Sequence, residues 1–222
     1  MKIRIKFRKY GTMKFIGHLD VMRYFQKAIR RADVDVCYSG GFSPHQIMSF
    51  AAPLGVGNTS NGEYVDIEVS STKDSETMKK CLNGVMSEGF EVVSYRGLPD
   101  DAANAMSIVG AGDYTLAFRP GYEPEDMDKE TWFQGLIAFF ERPSVMVTKK
   151  TKRGEKEMDL KPLVYELRIC PEGDGEMEGP RLFMKISAGS AANVKPEQVL
   201  DAYYGFLGKE RPPFAFMVQR EE

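Results

Sequence analysis

The chain has 222 residues, 42% of them hydrophobic and 28% charged, which is the composition of a globular protein with room for one large or two small domains. No run approaches the roughly 20 apolar residues of a membrane helix, and the alternating N-terminal residues are unlike the continuous apolar core of a signal peptide. Cys37, Cys81 and Cys170 form no CxxC pair and are odd in number, which argues against a zinc site, an iron–sulfur motif and a disulfide framework, so we expect a cytoplasmic protein without membrane contact, metal or cofactor.

The first half of the chain contains the hydrophobic periodicities of two helices and several short strands. In chain order they predict a strand over 2–8, a helix over 18–32, a short strand over 34–38, an extended segment over 46–52, a strand over 64–69, a helix over 74–88 and a strand over 90–95. Gly89 would end the second helix. The order βαββαβ is that of a ferredoxin-like unit.

After a connector over 97–112, which has room for a helical turn or two, the second half repeats this order of elements, with one added hairpin strand and without a clear repeat of residues. The patterns predict strands over 113–118 and 144–148, a helix over 129–140, a charged turn over 149–157, strands over 163–169 and 181–186, a mobile acidic loop over 171–180, a helix over 196–207 and a strand over 214–218. We therefore predict an α+β protein of two tandem ferredoxin-like (βαββαβ) domains, over 1–97 and 113–222, with a linker over 98–112.

Positive charge is concentrated at the start of the chain. Residues 1–31 contain ten Lys and Arg and one acidic residue, Asp20, which gives a net charge of +9. Because the whole chain has a charge of −2, residues 32–222 have a charge of −11. This asymmetry points to an anionic partner for one surface.

Four of these basic residues alternate along the first predicted strand: Lys2, Arg4, Lys6 and Arg8. On the open face of a sheet they would form a platform for phosphates, although no base-stacking aromatic residues of the kind found on many RNA-binding sheets are evident beside them. The alternative is a strand edge that Lys and Arg guard against aggregation.

The helix over 18–32 has one apolar face and one basic face. The residues predicted to face the core are Leu19, Met22, Phe25, Ile29 and Ala32. Those predicted on the opposite face are Asp20, Arg23, Tyr24, Lys27 and Arg31. Arg30 and Arg31 lie in the last turn, where the helix dipole favours cations, so a solvated face is the alternative to a binding surface.

A loop rich in glycine follows this helix. Gly40 and Gly41 permit positive φ angles or the close approach of a ligand to the backbone. Phe42 would stack on a base or fill a small core, and His45 would bind a phosphate, act as an acid or base, or cap a strand. The alternative is a simple connection.

Two further groups of residues suggest RNA chemistry. His18 and His45 are candidates for a general acid and base in metal-independent RNA cleavage, or they cap a helix and a strand. Lys150 and Arg153 belong to a basic stretch that would contact a nucleic-acid backbone, unless it is only a solvated hairpin tip.

Several longer motifs occur together, mostly in the first 70 residues. They are Phe15-Ile16-Gly17-His18-Leu19-Asp20, Arg23, Ala28-Ile29-Arg30-Arg31-Ala32, Tyr38-Ser39-Gly40-Gly41-Phe42-Ser43-Pro44-His45, Ser49-Phe50-Ala51, Pro53-Leu54-Gly55-Val56-Gly57, Glu63-Tyr64-Val65-Asp66 and Asp159-Leu160-Lys161-Pro162. This set resembles the radical-SAM-linked (radical-SAM-associated) protein family, a domain of unknown function. The resemblance implies a cobalamin-binding radical-SAM enzyme as the partner. The chain lacks the CxxxCxxC that would hold the cluster, so it would be the stand-alone partner.

The order of elements is also similar to that of the RNA-processing proteins of CRISPR systems, which have tandem ferredoxin-like units. Their glycine-rich loop before the last strand is not matched near Gly205 or Gly208, so nuclease activity does not follow from this likeness.

The leading hypothesis is a non-catalytic RNA-binding accessory subunit that presents tRNA or rRNA to the radical-SAM enzyme. The predicted RNA-binding residues are Arg4, Lys6, Arg8, His18, Arg23, Lys27, Arg30, Arg31, Gly40, Gly41, Phe42, His45, Lys150 and Arg153. One alternative is a metal-independent endoribonuclease that uses His18 or His45. The other is a protein-interaction module that docks the radical-SAM partner without RNA.

Overall fold

The computed structural model describes residues 1–151, 154–173, 177–189 and 192–222. It shows an α+β protein, which confirms the predicted fold class. The chain divides into two compact units, Met1–Val109 together with Glu222, and Gly110–Glu221. The division falls inside the stretch that the sequence predicts to be a linker.

The first unit contains four strands, two long helices and one short helix. They are β1 (Lys2–Lys9), α1 (His18–Arg31), β2 (Met48–Phe50), β3 (Thr59–Glu68), α2 (Ser75–Val85), β4 (Phe90–Leu98) and α3 (Ala105–Ile108). Strand β1 pairs antiparallel with β3 on one side and with β4 on the other, and β2 pairs antiparallel with β3. The strand order within this unit is therefore β4, β1, β3, β2, with β1 and β3 in the middle.

The period-two pattern of β1 separates its two faces, as predicted. Ile3, Ile5 and Phe7 are buried with residues of α1 and α2, and the Phe7 ring lies 4.4 Å from the ring of Phe25 on α1. Burial of each such side chain contributes about 1.5–3 kcal/mol before entropy is subtracted. The basic residues at the even positions point away from this core.

Two predicted elements of the first unit are wrong in position. The predicted strand over 34–38 makes only single bridges, from Val36 to Val69 and from Tyr38 to Gln46, because its two ends pair with different segments and no continuous ladder forms. The second strand is β2, inside the segment predicted as extended. Strand β3 begins at Thr59 rather than at Tyr64. The sequence pattern does not indicate its first residues, because they are polar and show no apolar alternation.

The described residues of the second unit form six strands and two helices. They are β5 (Ala111–Phe118), α4 (Lys129–Phe140), β6 (Met146–Thr151), β7 (Gly154–Asp159), β8 (Val164–Gly173), β9 (Gly179–Ser187), α5 (Pro196–Phe206) and β10 (Phe216–Arg220). Within this unit the antiparallel pairs give the strand order β10, β5, β9, β8. Helices α4 and α5 share an aromatic core, in which Trp132 lies 4.8 Å from Tyr203 between ring centroids.

The charged stretch over 149–157 is not the predicted turn. Most of it belongs to β6 and β7, which form a separate antiparallel pair with Thr148 opposite Glu157 and Lys150 opposite Glu155. The predicted acidic loop over 171–180 is likewise partly strand, at the end of β8 and the start of β9, and its centre lies outside the described residues.

No helix in the described ranges is long and apolar enough to cross a membrane.

Candidate nucleic-acid interface

Arg4 on β1 already has a carboxylate partner. Its Nε and NH2 atoms donate to the two oxygens of Asp66 on β3, at 2.8 and 2.9 Å. The two side chains are only 19% and 12% exposed, and the hydrogen bond to Asp66 raises the pKa of Arg4. Much of the positive charge of Arg4 is therefore compensated within the protein.

The other two cations of this strand that are predicted to bind RNA, Lys6 and Arg8, are also engaged. Lys6 bonds to the Glu222 carboxylate and lies 5.4 Å above the Tyr64 ring. Arg8 donates to Asn61 at 3.0 Å and to Glu91 at 3.1 Å. The strand is thus a less open phosphate platform than its sequence suggests, although RNA binding by these residues stays a prediction.

The last residues of the first unit cover part of this face. Lys2 Nζ donates to the Ala102 carbonyl at 3.0 Å, and Arg4 donates to the Ala103 carbonyl at 3.1 Å. The backbone N–H of Ala105, at the start of α3, donates to Asp66 at 2.6 Å. From here on, the connector means the segment Pro99–Ile108. Side chains of β1 and β3 fix it against the sheet of the first unit.

The basic face of α1 is far more accessible. Arg23, Lys27, Arg30 and Arg31 are all exposed. Arg23 has only the exposed i,i+3 neighbour Asp20, at 3.3 Å, and Arg31 donates to the neutral carbonyl of Val85. In the described part of the chain, the charged groups of Lys27 and Arg30 have no hydrogen-bond or ion-pair partner. Four cations against one carboxylate leave α1 with a net positive surface.

The predicted faces of α1 need two corrections. Leu19 is predicted in the core but is 65% exposed, and Val21 is buried instead, because the helical period places Val21 on the same stripe as Phe25 and turns Leu19 away from it. Tyr24 was expected on the polar face but stacks on Phe90, with ring centroids 4.6 Å apart, and its hydroxyl accepts from the N–H of Ser87. Tyr24 is therefore a packing residue.

The glycine loop is a closed, exposed turn. Ser39 Oγ lies 2.8 Å from His45 Nδ1 and accepts the His45 backbone N–H at 3.1 Å, while the Ser39 N–H donates to the His45 carbonyl. Gly41 has a φ of 99°, which confirms the prediction of a positive φ at one of the two glycines. Phe42 is completely exposed at the tip. The side chain of Gln46, just after the loop, donates to the Gln26 carbonyl and so attaches the base of the loop to α1.

His18 lies in a different environment from His45. It begins α1 half-buried, with its ring 5.5 Å from the ring of Phe50 in an edge-on contact. Burial, and then the charge of Lys9, lower the pKa of His18. His18 therefore favours the neutral form and is partly covered by packing.

Beside His18 are two buried charged residues outside the predicted set of site residues, Lys9 and Glu63. Lys9 Nζ donates to the Ile16 carbonyl at 2.9 Å, and burial lowers its pKa against the opposing effect of Glu63. The space between them and His18 is about 10 Å³, which fits nothing larger than a water molecule. The sequence does indicate that Lys9 is buried, since it falls on the same side of the alternating strand β1 as Ile3, Ile5 and Phe7.

The remaining predicted residues are in the second unit. Lys150 lies on β6 opposite Glu155, and Arg153 lies outside the described residues. Among the residues that the structure describes, no group of three or more His, Cys, Asp or Glu side chains is placed to hold a metal.

A sequence model of the family described as "Uncharacterized protein conserved in bacteria (DUF2344)" matches residues 2–196 of the chain. No functionally curated protein matches it.

Proposed function

Since the chain belongs to the DUF2344 family of uncharacterized bacterial proteins, we propose its function from its surface: it is a non-catalytic RNA-binding accessory protein. Its RNA-binding surface consists of the exposed cations of α1 and the loop Gly40–His45. We call these residues together the α1–loop surface.

The observation that supports this proposal is the contrast between two sets of basic residues. The cations of β1 are engaged by Asp66, Glu222 and Glu91. Those of α1 remain exposed, with Lys27 and Arg30 unpaired among the described residues. Cations that have no internal partner can neutralise RNA phosphates and so release the counterions condensed on the RNA, and this release is the main source of affinity in sequence-independent binding.

The loop Gly40–His45 adds an exposed aromatic ring to the positive charges of α1. A fully exposed phenylalanine costs solubility and adds nothing to the core, but it is a suitable platform for an unpaired base. Ser39 and His45 close the loop, so that Phe42 is held at its tip. We infer a single-stranded segment of tRNA or rRNA as the substrate, with phosphates on α1 and one base on Phe42.

We also propose that the protein acts with a cobalamin-binding radical-SAM enzyme, because its motifs resemble the radical-SAM-linked family. In this arrangement the enzyme supplies the chemistry and the present chain supplies the RNA contacts. Both units are proposed to be ferredoxin-like. The strand orders β4, β1, β3, β2 and β10, β5, β9, β8 support this, with β6 and β7 as an insertion in the second unit.

A salt titration tests the RNA-binding proposal. A labelled tRNA is titrated with the wild type, Lys27→Gln/Arg30→Gln and Lys73→Gln/Lys80→Gln at several salt concentrations. Each lost phosphate contact should flatten the log–log slope by about 0.7 for a single strand, so the α1 variant should lose about 1.4. Between 50 and 200 mM salt this corresponds to about a sevenfold smaller loss of affinity.

The Lys73→Gln/Lys80→Gln variant is the matched control, because it removes two exposed cations of the same unit. Its slope should stay close to that of the wild type. Equal slopes in the wild type and the α1 variant, or equal flattening in both variants, would exclude α1 as the RNA surface and leave the protein-interaction alternative.

The endoribonuclease alternative stays a prediction. It is tested by incubating tRNA with the protein in the presence of EDTA and comparing the products with those of the His18→Ala and His45→Ala variants.

A further inference from the structure

The second unit contains a groove between the hairpin of β6 and β7 and helix α5. One wall is a stripe of α5 with the helical spacing i, i+3, i+4, i+7 and i+8, namely Gln198, Asp201, Ala202, Gly205 and Phe206. The opposite wall is five consecutive residues, Ser144, Val145, Met146, Val147 and Thr148. Consecutive residues line a groove only when the edge of a strand faces it, since side chains alternate between the two faces.

Hydrogen bonds identify which backbone groups lie on that edge. The N–H of Val145 donates to Asp159 at 2.8 Å and its carbonyl accepts from Leu160 at 2.9 Å, so both groups point toward β7. Backbone groups alternate direction along an antiparallel strand, so those of Met146 and Thr148 point away from β7, into the groove. Strand β6 pairs only with β7 in the described part of the chain, and this outer edge has no partner there.

The groove is apolar in its middle and positively charged at one end. Phe206 is half exposed, and a methyl-sized group added at Gly205 would meet nothing within 4 Å, so the α5 wall leaves open space for a side chain. The Arg142 guanidinium lies 4.1 Å from the Phe206 ring centroid and has no carboxylate partner among the described residues. The Asp201 carboxylate is already bound by Arg211 at 2.6 Å, so the net charge offered to a ligand is positive.

From these features we infer that the groove binds an extended, acidic peptide segment of a protein partner. The segment adds a strand to the outer edge of β6 through the N–H and C=O groups of Met146 and Thr148. Its inward side chains, apolar and β-branched or aromatic, contact Ala202, Gly205 and Phe206, and one carboxylate pairs with Arg142. The proposal is independent of RNA binding, because the α1–loop surface belongs to the first unit.

Peptide selection on the full chain tests this inference. The protein is panned against a phage-displayed library of short random peptides, and the most enriched peptide is synthesised with a fluorescent label. We expect enrichment of sequences that alternate apolar with polar positions and contain Asp or Glu. Two N-methylated versions of that peptide are then compared, one with the methyl groups on the odd-numbered residues and one with them on the even-numbered residues. Only one version should bind, because only one keeps the N–H groups that face β6.

Two proline variants of one cross-strand pair provide a matched comparison. Thr148→Pro removes an N–H that points into the groove, a change that edge strands tolerate. It should weaken peptide binding by on the order of tenfold, the equivalent of one or two hydrogen bonds. Glu157→Pro is the control, because Glu157 lies opposite Thr148 and its N–H points to the other edge of the hairpin. Its affinity should stay within about twofold of the wild type. Arg142→Gln should weaken the acidic peptide and reduce the salt dependence of its binding.

Three results would overturn the inference. The first is the absence of any enriched extended acidic sequence, and the second is an equal effect of the two proline variants or of the two N-methyl registers. The third is a concentration-dependent dimer, measured by light scattering, that Thr148→Pro dissociates, since the edge would then belong to a second copy of the chain.

Discussion

Replacing Asp66 with asparagine should destabilise the first unit far more than removing an exposed carboxylate from the same sheet. Asp66 accepts two hydrogen bonds from Arg4 and a third from the N–H of Ala105. Asn keeps the size of the side chain but removes the charge and turns one acceptor into a donor. The variant therefore breaks the bidentate pair and loosens the connector at the same time.

The size of the effect follows from burial. A hydrogen bond to a charged group contributes about 1.5–3 kcal/mol, and breaking a fully buried ion pair costs about 3–5 kcal/mol. Arg4 and Asp66 retain 19% and 12% exposure, so the loss is screened in part and should be about 2–3 kcal/mol. The pair of Arg8 with Glu91 is 44% and 45% exposed, so Glu91→Gln should cost less than about 1 kcal/mol.

Urea denaturation of the wild type and the two variants measures these free energies of unfolding. Hydrogen exchange provides a local readout, since the Ala105 amide should exchange faster in Asp66→Asn and not in Glu91→Gln. A double-mutant cycle with Arg4→Gln should give a coupling energy above about 1 kcal/mol. Equal costs for the two carboxylate variants, or a coupling energy near zero, would refute this account of Arg4.

Three further predictions concern the α1–loop surface and His18. Phe42→Ala should weaken tRNA binding by about 1–3 kcal/mol if a base stacks there, with the free energy of unfolding unchanged; unchanged affinity would contradict the stacking role. Gly41→Ala should destabilise the loop by about 1 kcal/mol because of its positive φ, whereas Gly40→Ala should not, and neither added methyl meets an atom within 4 Å; equal urea midpoints would contradict this. Folding lowers the pKa of His18, so the unfolded chain takes up a proton first as the pH falls. Stability should therefore decrease from about pH 7 down to the folded-state pKa. His18→Gln should abolish this decrease in urea titrations and the control His45→Gln should keep it, while identical pH profiles of the wild type and His18→Gln would disprove it.

The faces of regular elements were predictable because their periods constrain them. Alternation along β1 correctly assigned Ile3, Ile5 and Phe7 to the core and the even-numbered cations to the other face. The same parity assigned Lys9 to the core, but a lysine is expected at the surface. Its partner carbonyl at Ile16 belongs to an irregular segment whose position no pattern indicates.

The pairing of charges was not predictable, since it depends on contacts between distant residues. Asp66 is 62 residues from Arg4, and only the β1–β3 register places the two opposite each other. Lysine and glutamate have low strand propensity, so the charged stretch after Thr148 shows no strand pattern in the sequence. Cross-strand pairing nevertheless places most of it in β6 and β7, and this pairing forms the wall of the groove beside α5.

The central position of β1 has a consequence for how the chain folds during synthesis. Strand β1 emerges from the ribosome before both of its partners, β3 and β4, and β4 follows only about ninety residues later. At about 5–20 residues per second, β1 waits roughly 5–20 s for that second neighbour. Throughout that time its apolar positions are exposed to other nascent chains on the same messenger. The cations at alternate positions repel an identical strand from a neighbouring ribosome, so they protect β1 before Asp66 and Glu91 exist to pair with them.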